Sequence, residues 1–458
     1  MTRRSLLERG LAAAALVSTP ARWRPRLLDA LTHARPYHDA ALRAESWIRR
    51  SAVHDALGTR WPVDPDKPAE IRTDLYSGTP GVVLFYLEAW AATGDRAMLE
   101  TAASGADHLI ATLPPDAAKL GEDGAGLYSG VAGIAYVLER THAATGRASH
   151  REGAGRAMSL LHAAAVPAGT GIAWNEANDI VAGSAGIGLV MLWAQRALAD
   201  GAARGDATKA GRHLVEVGIP EKGGLKWELA PSVPRRYPNF SHGTAGVSYF
   251  LATLYLETRE RVFLDAAVAG ATYLDAISTV TGPAGRKVFH HEPGGEDLYY
   301  LSWCHGPAGT ARLYHQLGIA TGDVTWKNQV PRFALGIVDS GVPEVHPDLS
   351  GYWNNISQCC GNAGVCEYFV SMHGLTKESR HIAFARRVAD DMLARGTADG
   401  DGTKWIQAEN RVSPTEVIAQ TGLMQGAAGV GLALLHLDGA MNGRAPAIRL
   451  PDCPEWGG

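Results

Sequence analysis

The sequence predicts an all-α protein built as a ring of seven helix pairs, with an inner set of helices inside an outer set. Three observations predict it. One glycine motif recurs seven times, every copy leads into an apolar run, and amphipathic segments of helical period follow the runs.

The motif, Gly-x-Pro/Ala-Gly, stands as GTPG at Gly78, GVAG at Gly130, GSAG at Gly183, GTAG at Gly243, GPAG at Gly306, GNAG at Gly361 and GAAG at Gly426. Successive copies lie 52, 53, 60, 63, 55 and 65 residues apart. The runs behind them read VVLFYLEAW, IAYVLERTH, IGLVMLWAQ, VSYFLATLY, TARLYHQLG, VCEYFVSMH and VGLALLHLD. Twelve residues past the second glycine, five copies carry a threonine (Thr93, Thr145, Thr258, Thr321, Thr376), and Gly94, Gly146 and Gly322 follow three of these. That spacing predicts a helix of about three turns ended by a left-handed glycine cap. Segments such as RAMLETAASGADHLIATL and ESRHIAFARRVADDMLARG then supply the second helix of each pair.

Stacked helix pairs form an open solenoid or a closed ring. An open stack needs polar capping repeats, yet the first and last copies, YSGTPGVVLFYLE and MQGAAGVGLALLH, are as apolar as the middle ones. The motif glycines are read as making room where seven helix starts crowd one axis. Length alone would favour about three domains; the repeat makes residues 26–458 a single one.

The chain has 458 residues, 46% hydrophobic and 20% charged, with a net charge of -4, so no basic stripe exists for nucleic acid. Residues 1–25, with Arg3-Arg4, an apolar run from Gly10 to Val17 and Thr19-Pro20-Ala21, resemble a twin-arginine export signal; a first helix packed on the domain, in a cytoplasmic protein, is the alternative. That run is too short for a bilayer, and no other segment is apolar enough to cross one.

The two residues before each motif are, in order, Tyr76-Ser77, Tyr128-Ser129, Val181-Ala182, Ser241-His242, Cys304-His305, Cys359-Cys360 and Met424-Gln425. If all inner helices start at one end of the ring, these pairs line its opening. Cys304, Cys359 and Cys360 then converge from adjacent repeats, as a three-thiolate zinc site with an open fourth position requires. A vicinal disulfide would use Cys359 and Cys360 and leave Cys304 unexplained, so the expectation is one zinc ion per chain. Helix N-termini favour thiolates. Of the five cysteines, Cys366 is expected in the core and Cys453 has no assigned role.

The repeats, with SWCHGPAG, CCGNAG and SHGTAG, resemble the lanthionine synthetase C-like family, zinc-dependent cyclases that add a thiol to a dehydrated serine or threonine. The resemblance runs from about Tyr76 to Leu435. It implies an α/α toroid of seven helix pairs, zinc on Cys304, Cys359 and the residue after it, and His242 near the metal. Many members have histidine after the second cysteine; Cys360 matches the three-cysteine variant, in which a substrate thiolate should keep more nucleophilic character. The implied reaction is conjugate addition of a cysteine thiol to a dehydroamino acid. His242, whose unperturbed pKa lies near neutrality, is the expected acid that protonates the enolate; capping a neighbouring helix is its alternative role. Asp179 matches a family acidic position and would orient that acid, or serve as an N-cap. His305 stands where relatives carry tyrosine or histidine. Tyr300 stands where some bacterial relatives have an active-site arginine.

Trp174, Trp227, Trp353 and Trp405, with Lys226, Arg235 and Arg236, are expected to form a lip for a peptide or to cover the ring. The partners implied are a dehydrated peptide, or a small thiol and an electrophile, with a separate dehydratase supplying any dehydrated substrate. Addition of a small thiol such as glutathione, or a non-catalytic zinc-containing peptide-binding scaffold, are the competing readings. A glycosidase would need paired carboxylates at the opening; Glu122, Asp123, Glu292, Glu296 and Asp297 are available, but none sits in register beside the glycines.

Overall fold

Every Gly-x-Pro/Ala-Gly motif opens a helix, with its first glycine as the extended N-cap residue. The computed structural model describes residues 35–235, 237–289, 297–344 and 352–454. The export-signal reading of residues 1–25, Arg236, Glu292 and Glu296 lie outside the described residues. In chain order the helices are α1 (Pro36–Arg50), α2 (Thr79–Thr93), α3 (Arg96–Thr112), α4 (Val131–Thr145), α5 (Ala148–Ala164), α6 (Ser184–Ala197) and α7 (Ala203–Glu216). They continue with α8 (Thr244–Thr258), α9 (Arg261–Ile277), α10 (Pro307–Thr321), α11 (Val324–Asp339), α12 (Asn362–Thr376), α13 (Ser379–Ala394) and α14 (Ala427–Met441). The fold is an α/α toroid.

The motif helices α2, α4, α6, α8, α10, α12 and α14 form the inner ring, and α14 packs back on α2 to close it. They are apolar nearly all round because both faces are covered, as Val82 to Leu87 of α2 illustrate. Outer helices bury a single stripe, such as Ala102, Ala106 and Leu109 of α3. Inner helices are longer than the threonine spacing implied, 15 residues in α2. The threonine is the helix's last residue, and its hydroxyl has two jobs. In α2, Thr93 Oγ1 donates to Ala89 O at 2.8 Å and accepts from Asp95 N at 3.1 Å, so it ties the inner helix to the start of the outer one. Gly94, Gly146 and Gly322 take left-handed caps as expected, while Arg259 and Lys377 adopt that conformation without being glycine.

Two expectations need correction. First, an outer helix does not follow α14. Its partner is α1, from before the first motif, because the chain beyond Met441 turns inward as a tail along the axis. Second, the glycines do more than relieve crowding between repeats, which is present where a Cβ on Gly364 would lie 2.1 Å from Ser302 Oγ and one on Gly81 2.5 Å from Leu423 Cβ. A Cβ on Gly309 would lie 1.9 Å from Trp303 O, and one on Gly364 2.2 Å from Gln358 O, so each second glycine admits its own repeat's preceding turn onto the helix start.

That turn carries the seven paired positions, which are linked by a ring of backbone hydrogen bonds. Tyr76 N donates to Tyr128 O (2.9 Å), Tyr128 N to Val181 O (2.9 Å), Ser241 N to Cys304 O (2.9 Å), Cys304 N to Cys359 O (3.1 Å), Cys359 N to Met424 O (2.9 Å) and Met424 N to Tyr76 O (2.8 Å). Between the third and fourth repeats the donor shifts by one residue, Ile180 N to Ser241 O at 3.1 Å. The ring presents all seven turns to one opening.

Short hairpins follow five outer helices: β1 (Val53–Asp55) with β2 (Gly58–Arg60), β3 (Val166–Ala168) with β4 (Gly171–Ala173), β5 (Ile219–Glu221) with β6 (Gly224–Lys226), β7 (Thr279–Thr281) with β8 (Gly285–Lys287), and later β11 (Thr397–Asp399) with β12 (Gly402–Lys404). Between the last two hairpins β9 (Tyr299–Tyr300) pairs in parallel with β10 (Tyr352–Trp353). β13 (Gln407–Ala408) and β14 (Val417–Ile418) complete the rim. The tryptophans behind β4, β6 and β12 are buried staples: Trp174, Trp227 and Trp405 donate their indole N–H to Leu161 O, Leu214 O and Met392 O at 2.7, 2.7 and 2.8 Å. Trp353, on β10, is buried as well. Lys226 is buried against Glu221 at 2.6 Å, and Arg235 donates to Tyr237 Oη at 2.9 Å. Of the residues expected to form a peptide lip or to cover the ring, the four tryptophans and Lys226 are therefore interior structure, while Arg235 is exposed.

Candidate metal centre

Cys304 stands two residues before Gly306, the N-cap of α10, as Cys359 stands two residues before Gly361, the N-cap of α12, so the backbone ring sets these two sulfurs side by side. Cys360 follows at the second position. Its amide donates to Ser357 Oγ at 3.0 Å, and Ser357 Oγ donates to Asn355 Oδ1 at 2.7 Å, which holds the turn from inside. Cys304 Sγ and Cys359 Sγ each lie 3.3 Å from Cys360 Sγ, and the three sulfurs fall within 4.8 Å of one another. All five cysteines are free thiols, so the vicinal-disulfide alternative is not what forms. Among the described residues this is the one cluster of three metal-ligating side chains. Cys366 is fully buried in α12, as expected of a core cysteine.

The cluster is almost closed to solvent, with Cys304, Cys359 and Cys360 exposed by 2%, 4% and 9%. Burial pushes the Cys304 and Cys359 thiols well above their ordinary range. Cys360 is held well below it by hydrogen bonds from those two thiols. Burial therefore opposes ionisation of the whole trio, and a divalent cation would offset two of the three thiolate charges. Three soft sulfur donors with an approach from the opening are a donor set that suits zinc.

His242 and Asp179 meet beside the cluster from different repeats. His242 Nδ1 lies 2.5 Å from Asp179 Oδ2, and His242 is close enough to Cys360 that its charge lowers that thiol's pKa. Asp179 Oδ1 accepts from the amides of Ala182 (2.9 Å) and Gly183 (2.7 Å). One carboxylate thus holds both the turn ahead of α6 and the imidazole, but the N-cap of α6 is Gly183 and carries no side-chain cap bond, so Asp179 is not that helix's N-cap. The His242 side chain is 33% exposed and Asp179 2%. His305 stacks obliquely among Tyr237, Tyr300 and His242, with ring centroids 5.0, 5.3 and 5.7 Å away.

Tyr300 belongs to the same wall. Burial, with Cys360 and Cys304 nearby, raises its phenol pKa, and Arg411 opposes this by hydrogen bonding to it. Two residues of the opposite wall escaped assignment from sequence although both stood in the register of paired positions. Tyr76 donates to Cys359, and Gln425 Nε2 donates to Tyr76 Oη at 2.8 Å and approaches Cys360 Sγ at 3.9 Å. Arg411 had no signal at all, since it arrives on the exposed loop between β13 and β14. Glu122, Asp123 and Asp297 are exposed on loops.

A model of the lanthionine synthetase C-like protein family matches residues 70–450. Among solved structures, nisin cyclase superposes with a TM-score of 0.58 at 14% identity, over 88% of this chain and 98% of that one. The Lin0763 protein from Listeria innocua follows at 0.48 and 14%, over 89% and 97%. An α-1,6-mannanase of Salegentibacter sp. gives 0.46 and 11%, over 89% and 99%. At such identity the likeness to nisin cyclase is one of fold, and the two weaker ones carry no argument about this chain. No curated protein matches the sequence.

Proposed function

Because this chain belongs to the lanthionine synthetase C-like family, we propose that it is a zinc-dependent enzyme that joins a cysteine thiol to a dehydroamino acid and forms a thioether. The observation that carries the reading is the cluster of Cys304, Cys359 and Cys360, buried within 4.8 Å and bordered by the His242–Asp179 pair. The three thiol sulfurs would hold the ion. When bound, zinc supplies Lewis acidity that keeps a substrate thiol ionised near neutral pH.

The remaining work falls to the chain's own side chains. The thiolate lone pair forms the C–S bond at the β-carbon, the carbon–carbon π pair moves toward the α-carbon as an enolate, and a proton must return to that carbon. His242 supplies it from Nε2. Asp179, accepting at Nδ1, stabilises the imidazolium and leaves Nε2–H as the donor. The proton released from the substrate thiol balances the one delivered. Tyr300 stays a neutral phenol because burial resists its ionisation, so it can donate a hydrogen bond to the enolate oxygen in the place the resemblance gives to an arginine. The buried walls exclude water that would compete for the proton.

The test uses zinc-loaded protein and a peptide carrying a dehydroalanine and a cysteine. Ring closure leaves the mass unchanged, so it is read as loss of thiol alkylation. Protection of the cysteine supports the peptide reading. Adducts formed only with glutathione would replace it with small-thiol addition, and absence of both would leave a peptide-binding scaffold.

A further inference from the structure

The tail beyond α14 enters the ring from the end opposite the thiols and reaches the underside of the hydrogen-bonded turns. Its anchor is Asp452, which is fully buried. One oxygen, Oδ2, accepts from Trp303 Nε1 at 2.9 Å, from Tyr128 Oη at 3.1 Å and from Arg312 Nη1 at 3.1 Å, and Arg312 also donates to the Asp452 carbonyl at 2.9 Å. Trp303 is the residue directly before Cys304. Tyr128 is itself one of the ring positions, and its carbonyl receives the amide of Tyr76, whose phenol donates to Cys359. Trp303 and Tyr128 also pack on each other, with ring centroids 4.9 Å apart.

We infer that Asp452 is a positioning residue for the metal centre, a carboxylate delivered by the tail that fixes Cys304 through the Trp303 indole and Cys359 through Tyr128 and Tyr76. The inference rests on the proposed zinc reading and adds to it a support outside the motifs. The tail also packs Ile448, Leu450 and Cys453 on the core, yet a cavity of about 370 Å³ remains beside it, lined by Trp303, Gln358 and Met424 among others. The tail has a second anchorage, which reaches the thiol turns only at three removes, through His436, Glu367 and Gln358. Glu88 of α2 accepts from the amides of Ala447 and Ile448 at 2.8 and 2.9 Å. Groups that orient metal ligands from behind commonly change metal affinity by about 10- to 100-fold, whereas an anchor that merely holds the tail changes stability alone.

The two anchorages make the experiment. Cobalt is loaded into the wild-type protein and into Asp452→Asn, Trp303→Phe and Glu88→Gln, and the thiolate-to-cobalt absorption is recorded. Zinc retention against a chelator is measured in parallel. Asp452→Asn and Trp303→Phe should each shift the absorption and weaken retention by about 10-fold or more, and the double variant should go little further, because the carboxylate acts through the indole. Glu88→Gln should lower the melting temperature and leave the spectrum as in the wild type. A spectrum and retention unchanged in Trp303→Phe and Asp452→Asn, in a wild type that loads cobalt, would overturn the inference alone, as would Glu88→Gln moving both as far. A wild type that takes up neither metal would overturn the zinc reading and this inference together.

Discussion

Two clusters of ionisable groups are buried inside the ring, and only one of them carries its own counter-charges. Around α14, His436 lies 2.7 Å from Glu367 and 3.3 Å from Glu88, and Glu88 also pairs with Arg444 at 2.5 Å. Two carboxylates face two cations, so the cluster is neutral without outside help. At the opening, three sulfurs converge, and the nearby imidazole is already committed to Asp179. The thiols are as hidden from water as Glu88 and His436 at the heart of the other cluster, so the difference is informative. A buried cluster with built-in counter-charges is structure, and one that lacks them is a place for a cation.

The strongest way to break this comparison is to remove sulfurs. Cys304→Ala and Cys359→Ala should each lose zinc and thioether formation together, measured by metal analysis beside the alkylation assay; full zinc content in both would show that the cluster is not the site. Next comes the self-compensated cluster. Glu88→Gln leaves His436 and Arg444 short of a buried partner and should cost about 3–5 kcal/mol in denaturant unfolding, with zinc content unchanged.

His242→Asn sharpens the contrast within the opening itself. It should retain zinc and the fold but slow addition by about 10²-fold, and full turnover would move the acid to His305 or Asp179.

A pH series separates the clusters without removing an atom. Burial alone would lower the His436 pKa, but Glu367 and Glu88 reverse this and raise it to about 10. Its stabilisation is thus complete below the unfolded value of about 6.5 and is lost as pH rises toward 10. Burial would raise the Glu88 pKa, yet His436 and Arg444 bring it to about 2, so its contribution is complete above the ordinary carboxylate range and is lost as pH falls through 2. Unfolding free energies should decline from pH 7 to 10, and His436→Gln should flatten that decline. The smallest effect is expected at the repeat's edge, where Thr376→Val removes hydroxyl bonds to Met372 O and from Glu378 N and should cost about 1 kcal/mol in the same measurement.

Much of this architecture was legible because it is written locally and repeated. A glycine is needed wherever a turn must lie on its own helix start, and a threonine wherever the inner helix hands over to the outer one, so both recur at fixed offsets. The cysteines were legible for the same reason, since Cys304 and Cys359 occupy one register position in neighbouring repeats. The tryptophans misled because a loop tryptophan reads as surface, whereas Trp174, Trp227 and Trp405 fold inward to cap a carbonyl 13 residues back.

The sequence by itself determined the helix pairs, their number and the side of the ring on which the thiols stand, because each depends on contacts within one repeat or on equivalent positions in successive repeats. Only the tertiary structure decided how the ring closes and which groups stand behind the thiols. The Arg35–Asp438 ion pair joins positions 403 residues apart next to α1 and within α14, and Asp452 reaches Trp303 across 149. Such pairs leave no period and no motif. They exist because closing a ring sets α1 against α14 and leads the tail beyond α14 back under the turns of the fifth repeat.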